Sequence, residues 1–519
     1  MGREHVNGAE SLARTLVASG VDHCFTNPGT SEMHFVAALD RVPGIRCILA
    51  LFEGVVTGAA DGYGRMAQKP AATLLHLAPG LGNGLANLHN ASRARSPIVN
   101  VIGDHATYHK QYDAPLNADI EGIARAYSKW LRTSPNAMAV ARDGAEAVAA
   151  ARTAPGQIAT LILPADTAWN EGSGPAAALP VPPPAPPAQG AVERAATSLR
   201  AGEPAALVLA GAALMRRGLE VAGRIAAATG AQLLAPYSVA RIERGAGLVP
   251  VERIPYPVDQ AVERLKHLKH VILVGATPPV AFFAYPEKPS VVTPPGCEVS
   301  VLARPEEDLL AALEALADAV GARSAAPKLQ QREKVAAPTG SVTLPGIGGV
   351  IASLLAENVI VVDESITSGR ALLAMTRATP PHDWLANTGG SIGMALPVAV
   401  GAAIACPDRK VLALEGDGSG MYTLQALWTM AREGLKVTSV VFANGTYNIL
   451  KGELANVGAG NPGRRALDML EIGRPDLDWV SLARGMGVPG ARAETLDEMA
   501  RLVANGLASD GPSLVELAV

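Results

Sequence analysis

The chain has 519 residues, more than one hydrophobic core usually covers, and this length predicts about three domains. A net charge of −4, without a local cluster of Lys and Arg, excludes the basic surface that nucleic-acid binding needs. No apolar run approaches the roughly 18 residues that cross a bilayer, so we expect no membrane partner. The four cysteines are far apart in the sequence and form no CxxC pair, so we expect a cytoplasmic protein.

Two breaks divide the chain into three blocks. The stretch 173–190 is dense in proline, which favours an extended linker. The stretch 326–345 loses apolar periodicity and gathers charge, alanine and proline. These breaks predict an N-terminal domain over 1–172, a central domain over 191–325 and a C-terminal domain over 346–519.

Short apolar runs alternate with helical patterns in every block. Predicted strands are 71–76, 98–102, 206–210, 270–275, 359–363, 411–414 and 438–442. Such alternation predicts an α/β fold with three doubly wound parallel sheets. Ligands of such sheets bind at the carboxyl ends of the strands.

Two candidate catalytic residues lie near predicted strand ends in the first block. Glu53 begins a Gly/Ala-rich helical stretch, where we expect its carboxyl to be largely buried. On its own, an acid there is ordinary, because it suits a helix N-terminus. His76 follows the run 71–75, and a lone histidine at a strand end is more often a core residue.

A loop in the last block combines acidic and glycine residues. A predicted strand ends at Glu415 and leads into Gly416-Asp417-Gly418-Ser419. A helix opens after Ser419 and is predicted over 423–433. The next strand leads into Asn444-Gly445-Thr446. Asp417 and Asn444 offer hard oxygen ligands, and the glycines admit close backbone contact with phosphates. GDG alone indicates only a tight turn, but with Asn444 placed 27 residues after Asp417 it predicts a metal and diphosphate site.

These motifs together resemble the thiamine-diphosphate-dependent 2-oxo acid decarboxylase and acetohydroxyacid synthase superfamily, most closely its benzoylformate decarboxylase branch. The resemblance is carried by EGVVTGAADGYGRM, TLLHLAPGLGNG, GGSIGMALP and the GDGS and NGT loops. It implies pyrimidine-binding, central and diphosphate-binding domains, with thiamine diphosphate and Mg²⁺ as cofactors. It further implies a homodimer at minimum and favours a homotetramer, with Glu53 and Asp417 of one site on different subunits.

The resemblance also assigns roles to single residues. Glu53 would protonate the aminopyrimidine of the cofactor, and His76 would be the general acid/base. Mg²⁺ would be held by Asp417, Asn444 and the backbone carbonyl of Thr446. Further cofactor contacts are assigned to Asn27, Pro28, Gly29, Ser365, Ile366, Thr367, Ile392, Gly418, Ser419, Gly445 and Tyr447. Thr30 matches a substrate-contacting position of the branch, and Phe282, Phe283 and Leu450 are further candidates for substrate contact in this chain.

The sequence departs from the branch in the central domain, where Phe282 and Phe283 stand in the region of a second active-site histidine. His105 and His109 are further candidates, but they are spaced singly and not as a pair. The predicted reaction is non-oxidative decarboxylation of a 2-oxo acid through an enamine intermediate.

Three alternatives stay open. A carboligase of the acetolactate synthase type would share the first steps of the reaction. A flavin- or nucleotide-binding protein using the central domain is weakly indicated, because Val274-Gly275-Ala276 is not followed by a GxGxxG turn. An inactive homologue is disfavoured by the presence of Glu53, Asp417 and Asn444 together.

Overall fold

A computed structural model describes residues 6–519, so the first five residues of the predicted N-terminal domain lie outside the described part. The first sheet has strand order β2-β1-β3-β4-β6-β5, and all its pairings are parallel. Its elements are α1 (Gly8–Ala18), β1 (His23–Asn27), α2 (Met33–Arg41), β2 (Arg46–Leu49), α3 (Glu53–Ala67), β3 (Ala71–Leu75), α4 (Leu77–Ala94), β4 (Ile98–Asp104), α5 (Ile120–Arg125), β5 (Trp130–Thr133), α6 (Val140–Arg152), β6 (Ile158–Pro164) and α7 (Ala165–Trp169).

The second sheet has order β10-β8-β7-β11-β12 and is also parallel. Residues 170–190 before it contain neither helix nor strand. Its segment comprises α8 (Ala191–Arg200), β7 (Ala205–Leu209), α9 (Arg216–Thr229), β8 (Gln232–Ala235), β9 (Ile242–Arg244), β10 (Glu252–Arg253), α10 (Val258–Leu265), β11 (His270–Val274), β12 (Glu298–Ala303) and α11 (Leu309–Ala319).

The third sheet has order β17-β18-β16-β15-β13-β14-β9. Its segment comprises α12 (Leu344–Leu354), β13 (Ile360–Glu364), α13 (Leu372–Met375), β14 (His382–Ala386), α14 (Ala395–Ala405), β15 (Val411–Gly416), α15 (Asp417–Gly420), α16 (Ala426–Glu433), β16 (Val437–Ala443), α17 (Asn448–Asn456), α18 (Arg464–Asp468), α19 (Trp479–Gly485), β17 (Gly490–Ala493), α20 (Leu496–Ala508) and β18 (Ser513–Ala518). Among residues 6–519, no helix combines the length and apolarity needed to cross a bilayer.

The α/β prediction with three mainly parallel sheets is confirmed. Every run predicted as a strand falls on a strand, with ends that differ by at most two residues. The strands β3, β4 and β6 are buried along their whole length, as expected for parallel strands that are covered by helices on both faces.

Two details differ from the sequence prediction. The central segment gives one strand to the third sheet, because β9 pairs antiparallel with β14, Ile242 lying opposite Trp384. A strand of three residues carries too little periodicity to be recognised. The helix predicted to open after Ser419 is also wrong: a four-residue helix starts at Asp417 and the longer one starts at Ala426.

The first and third domains touch through α3 and α14. A Cβ added to Gly62 would lie 2.1 Å from the carbonyl oxygen of Val398, and one added to Gly401 would lie 1.9 Å from that of Ala59. Glycine is therefore required at both positions, because the two helix backbones are in direct contact. One hydrophobic cluster runs from the first sheet across this contact into the third.

Candidate active site

Glu53 lies at the first position of α3 with 7% of its surface exposed. Two side-chain amides hold its carboxylate: Asn27 Nδ2 donates to Oε1 at 3.2 Å, and Asn83 Nδ2 donates to Oε2 at 3.0 Å. Asn27 ends β1 and Asn83 lies on α4, so the carboxylate is fixed from two sides. The expectation of a largely buried carboxyl is confirmed, whereas Asn83 was missed.

His76 lies at the N-cap position of α4. Its side chain is paired with a buried acid that the sequence did not reveal. Its Nδ1 lies 2.9 Å from Oε2 of Glu32, which is 2% exposed. The same carboxylate accepts the backbone N–H of Gly29 at 2.8 Å and the hydroxyl of Ser31. A proton on Nδ1 therefore points at Glu32, which leaves Nε2 of His76 to exchange a proton elsewhere.

The loop after β1 fits closely around this histidine. A Cβ on Gly29 would lie 2.1 Å from Nδ1 of His76, so only glycine fits beside the ring. Thr30 is exposed and opens the 3₁₀ turn Thr30–Glu32. Leu77, directly after His76, has a φ of 47°, a strained conformation for a leucine. Strain of this kind is typical of positions that hold a functional side chain.

His105 and His109 follow β4, which is the neighbour of β3 in the sheet. Their ring centroids lie 5.6 Å apart, and Nε2 of His105 is buried without a hydrogen-bond partner. The structure therefore places His105 at the same edge as His76 and leaves it a second-tier candidate.

In the third domain, the strand ends predicted to bind metal and diphosphate meet at one edge. Asp417 is 4% exposed, and its carboxylate accepts the backbone N–H groups of Gly418 at 2.8 Å and Gly445 at 2.7 Å. Asn444 Oδ1 accepts the N–H of Thr446 at 3.0 Å. Burial raises the pKa of Asp417, because it disfavours the charged carboxylate.

This donor set fits Mg²⁺. Within residues 6–519, the hydrogen-bond partners of the Asp417 carboxylate are backbone N–H groups and not a Lys or Arg. No cluster of three or more His, Cys, Asp or Glu residues suited to a metal is present in that range. One carboxylate, one amide oxygen and backbone carbonyls are the hard ligands that a diphosphate-bound Mg²⁺ accepts.

Tyr447 closes the site from the side of β16. A Cβ on Gly418 would lie 2.4 Å from its ring, so the ring lies directly on the loop. The hydroxyl of Ser419 donates to the buried Glu415. Its side chain is thus turned into the sheet, and only the backbone of Ser419 faces an incoming phosphate.

Two buried acids missed by the sequence lie beneath this loop. Glu364 and Glu415 are register partners on β13 and β15 and are 3% and 0% exposed. Burial raises the pKa of Glu364 to about 7, and burial together with the neighbouring Glu364 raises the pKa of Glu415 well above its usual range. Both shifts favour the neutral, protonated carboxyl, which is the form that costs less to bury.

The loop after β13 carries Ser365, Ile366 and Thr367. The backbone N–H of Ser365 donates to Asp363 at 3.1 Å. Ile366 has a φ of 46° and is 41% exposed, an unfavourable conformation for a β-branched residue. This second strained position again lies in a loop that the sequence assigned to the cofactor.

The segment around Ile392 is held by both domains. From α4 of the first domain, Asn87 donates to the carbonyl of Gly393 at 3.3 Å and Asn90 donates to that of Ser391 at 2.8 Å. From below, Glu364 Oε2 accepts the backbone N–H groups of Gly393, Met394 and Ala395 at 2.9, 2.7 and 3.2 Å. Ile392 is thus presented by a rigid segment.

Aromatic residues of the central domain border the same segment. Phe282 and Phe283 are 46% and 52% exposed with ring centroids 4.8 Å apart. A Cβ on Gly390 would lie 2.8 Å from Phe282, which places this ring beside the Ile392 segment. Tyr256 stacks on Phe282 at 5.5 Å.

The helix α17 lies next to these rings and carries Leu450. The hydroxyl of Tyr256 donates to Glu453 of this helix at 3.4 Å. Leu450 is 42% exposed, so its side chain is available to a ligand. Arg464 pairs with Asp468 in a largely exposed salt bridge, which agrees with solvated surface charge.

The predicted residues therefore form two groups. The hydrogen bonds of the Glu53 carboxylate stay within the first domain, and those of the Asp417 carboxylate stay within the third. Each group lies at the carboxyl edge of its own sheet, the position where such sheets bind ligands.

The matches to known protein families fall separately on the first and the third domain. Residues 6–124 match the family described as thiamine pyrophosphate enzyme, N-terminal TPP binding domain, and residues 367–517 match its C-terminal TPP binding domain. A Mycobacterium tuberculosis (strain ATCC 25618 / H37Rv) protein, provisionally named acetolactate synthase large subunit IlvX, is 52% identical over 515 residues, or 99% of each chain. A benzoylformate decarboxylase of Pseudomonas aeruginosa is 29% identical over 533 residues, or 96% of each chain.

Solved structures share the fold. A thiamine diphosphate-dependent 4-hydroxybenzoylformate decarboxylase of Rhodococcus jostii RHA1 superposes with a TM-score of 0.85 at 24% identity, over 98% of both chains. A benzoylformate decarboxylase from Polynucleobacter necessarius gives 0.82 at 22% identity, over 99% of both chains.

Proposed function

Since the chain belongs to the thiamine pyrophosphate enzymes and takes thiamine diphosphate as its cofactor, we propose that it catalyses the non-oxidative decarboxylation of a 2-oxo acid. The observation that carries this proposal is the pairing of His76 with the buried Glu32. A decarboxylase must protonate the carbon that loses CO₂, and a histidine whose Nδ1 is engaged by a carboxylate offers Nε2 for that proton.

The cofactor, when bound, supplies the carbon nucleophile and the electron sink for cleavage next to the carbonyl. Glu53, fixed by Asn27 and Asn83, would hold a proton at the ring nitrogen of its aminopyrimidine. His76 would donate the proton that replaces the lost carboxyl group. Thr30, exposed beside His76, would contact the carboxylate of the substrate.

At the other end of the cofactor, Asp417, Asn444 and the carbonyl of Thr446 would hold Mg²⁺. Backbone groups of Gly418, Ser419 and Gly445 would surround the diphosphate, with Ser365, Ile366 and Thr367 opposite them. Ile392 would support the cofactor from the side. The buried carboxylate of Asp417, which accepts hydrogen bonds from the backbone N–H groups of Gly418 and Gly445, supports this assignment.

The acyl group of the substrate is proposed to be aromatic or bulky and apolar. Phe282 and Phe283 replace a polar side chain at the border of the site, and Tyr256 extends them into an aromatic wall. Leu450 on α17 would face this wall. Burying an aryl substituent there would contribute favourable apolar and ring contacts.

The active unit is proposed to contain at least two chains, with a homotetramer favoured, because the Glu53 and Asp417 groups hydrogen-bond within separate domains. A complete site would then combine the first domain of one subunit with the third domain of another. Cytoplasmic location is proposed because all four cysteines are free thiols.

A carboligase of the acetolactate synthase type is the second candidate. It is favoured by the name and the 52% identity of the Mycobacterium tuberculosis relative. Both reactions begin with loss of CO₂, so the products distinguish them: an aldehyde leaves a decarboxylase, and a hydroxyketone or hydroxy-oxo acid leaves a carboligase.

The experiment supplies purified protein with thiamine diphosphate, Mg²⁺ and a panel of aliphatic and aromatic 2-oxo acids, and measures CO₂ together with the organic product. Glu53→Gln should abolish CO₂ release. Glu314→Gln is the matched control, since Glu314 lies on the surface of the central domain in a salt bridge to Arg217. Equal CO₂ release by wild type and Glu53→Gln, or none from any acid, would contradict the proposal.

A further inference from the structure

Two cysteines face each other across neighbouring strands of the first sheet. Cys24 on β1 and Cys47 on β2 are partners in the parallel register. Paired residues in register point to the same face, and adjacent strands lie about 4.8 Å apart. That separation is within the range of roughly 4.4–6.8 Å between Cα atoms that a disulfide spans.

The two thiols differ in accessibility and in reactivity. Cys24 is fully buried, whereas Cys47 lies exposed on β2, the edge strand of the sheet. The neighbouring thiol of Cys24 lowers the pKa of Cys47, while the Cys24 thiol itself donates to the carbonyl of Phe25 at 3.9 Å. An accessible thiol with increased thiolate character, next to a second buried thiol, is the arrangement of an attacking cysteine and its resolving partner.

We propose that Cys24 and Cys47 form an oxidisable dithiol that a peroxide converts into a disulfide between β1 and β2. The Cys47 thiolate attacks a peroxide oxygen and the O–O bond breaks, which gives a sulfenic acid and a hydroxide. The hydroxide takes up the proton that the Cys47 thiol released, which gives the first water. The sulfur of Cys24 then attacks the sulfenic sulfur, and the hydroxyl leaves with the Cys24 proton as a second water. Two thiols lose two electrons and two protons, and the peroxide gains them.

The other cysteines lack these properties. Burial raises the pKa of both Cys297 and Cys406. Each also lies far from every other cysteine in the chain order, and neither has a cysteine as its strand partner. Cys297→Ser is therefore a suitable control, because it removes one thiol and leaves the pair of Cys24 and Cys47 intact.

The cross-link would act on the candidate active site. β1 ends at Asn27, three residues after Cys24, and the segment after β2 leads to Glu53. Most disulfides hold their Cα atoms about 5.5–6 Å apart, which is farther than the spacing of about 4.8 Å between neighbouring strands. Closing the bond would therefore displace β1 against β2 and disturb the 3.2 Å hydrogen bond from Asn27 to Glu53.

The test for the cross-link treats the protein with equimolar hydrogen peroxide and maps its peptides without reduction. The expected product is one peptide joining Cys24 and Cys47, lighter by two hydrogen atoms and lost on dithiothreitol treatment. It should form in wild type and Cys297→Ser and be absent from Cys47→Ser and Cys24→Ala. A Cys47 oxidised to sulfinic acid with no joined peptide would overturn the proposal.

The consequence for the site rests on the proposed function and is measured separately. Oxidation should lower CO₂ release about tenfold in wild type, as expected for losing one hydrogen bond to a charged group, and dithiothreitol should restore it. Cys47→Ser should keep its activity under the same treatment. A joined peptide with unchanged activity would overturn the regulatory role. If no 2-oxo acid is a substrate, the affinity for thiamine diphosphate replaces activity as the readout. This affinity is measured by the quenching of tryptophan fluorescence when the cofactor binds.

Discussion

The carboxylate of Glu32 and the imidazole of His76 form one hydrogen-bonded unit. The Glu32 carboxylate accepts hydrogen bonds from the Gly29 backbone N–H, the Ser31 hydroxyl and the histidine. The first two hydrogen bonds fix the position of the carboxylate independently of the His76 ring. The carboxylate fixes which ring nitrogen carries a proton and holds the ring in one orientation. Glu32 is thus a positioning residue for the proposed general acid.

Replacing Glu32 by Gln should lower CO₂ release about 10- to 100-fold, because His76 loses the charged partner that orients it. The affinity for thiamine diphosphate should stay unchanged, since Glu53 keeps both of its amide partners. Steady-state kinetics and cofactor titration separate the two effects, with Glu314→Gln as control. Unaltered kcat in Glu32→Gln would mean that the carboxylate does not act through His76.

His382 gives a prediction for stability at acid pH. Its ring is buried on β14, Nδ1 donates to the Pro380 carbonyl at 2.8 Å, and Nε2 has no partner. Burial lowers its pKa from 6.5 to about 4. The stability that the neutral ring supports is therefore present above pH 6.5 and is lost as pH falls towards 4, by roughly 3 kcal/mol.

His382→Gln should accordingly lose less stability than wild type between pH 6.5 and 4. Thermal unfolding at a series of pH values measures this difference. His267→Gln, which replaces an exposed histidine, should follow the wild-type curve. Parallel curves for His382→Gln and wild type would show that His382 is not protonated on unfolding.

Single residues were predictable to the extent that they carry a local motif. Glu53, Asp417 and Asn444 stand within short patterns of glycine and apolar residues, so the sequence singles them out as candidates. Glu32 contacts His76, and Asn83 contacts Glu53, only after β1, β3 and α4 have come together. Glu364 and Glu415 are likewise recognisable only once two strands lie in register.

At the scale of elements, the contact between α3 and α14 links the two cofactor-binding domains. It depends on backbones that approach too closely for any side chain at Gly62 or Gly401. Through this contact, α3, which begins at Glu53, packs directly against α14, which follows the Ile392 segment. Packing of this kind is sensitive to a single added methyl group.

Gly62→Ala should therefore lower the free energy of unfolding by about 1–3 kcal/mol, because its Cβ meets the backbone of Val398. Denaturant unfolding measures the change. Gly485→Ala is the control, since a Cβ there meets no atom within 4 Å, and its stability should differ from wild type by less than about 1 kcal/mol. Equal stability of the two variants would contradict the close helix contact.

Strands were easier to predict than the starts of helices. Long apolar runs such as β4 and β16 must be buried, and their ends follow from the sequence. The start of the helix after Ser419 does not follow from it, because Thr423 donates its hydroxyl to the Gly393 carbonyl at 2.9 Å. This tertiary bond delays the helix until Ala426.

For the whole molecule, the proposed division of each site between two subunits predicts complementation. Chains carrying Glu53→Gln and chains carrying Asp417→Asn should each be inactive alone. A mixed dimer contains one site built from the unaltered halves of both chains and one site built from both altered halves, so the isolated mixed dimer should show about half of wild-type activity. Co-expression with two affinity tags, followed by CO₂ assay of the mixed species, measures this.

Wild-type chains that carry the same two tags and are co-expressed in the same way control for losses of activity during preparation of the mixed dimer. If the mixed dimer is recovered with both tags and remains inactive, Glu53 and Asp417 serve the same site from one chain. If no mixed species forms at all, the homodimer itself is refuted.

The strand β9 determines how this chain can be divided. It belongs by sequence to the central segment, yet it covers β14, the edge of the third sheet, and Arg241 next to it pairs with Asp383 at 2.6 Å. Excising residues 191–325 or exchanging them for another domain would uncover that edge, and uncovered edges promote aggregation. Recombination of this protein with its relatives should therefore succeed only where the third domain is inherited together with the strand that closes it.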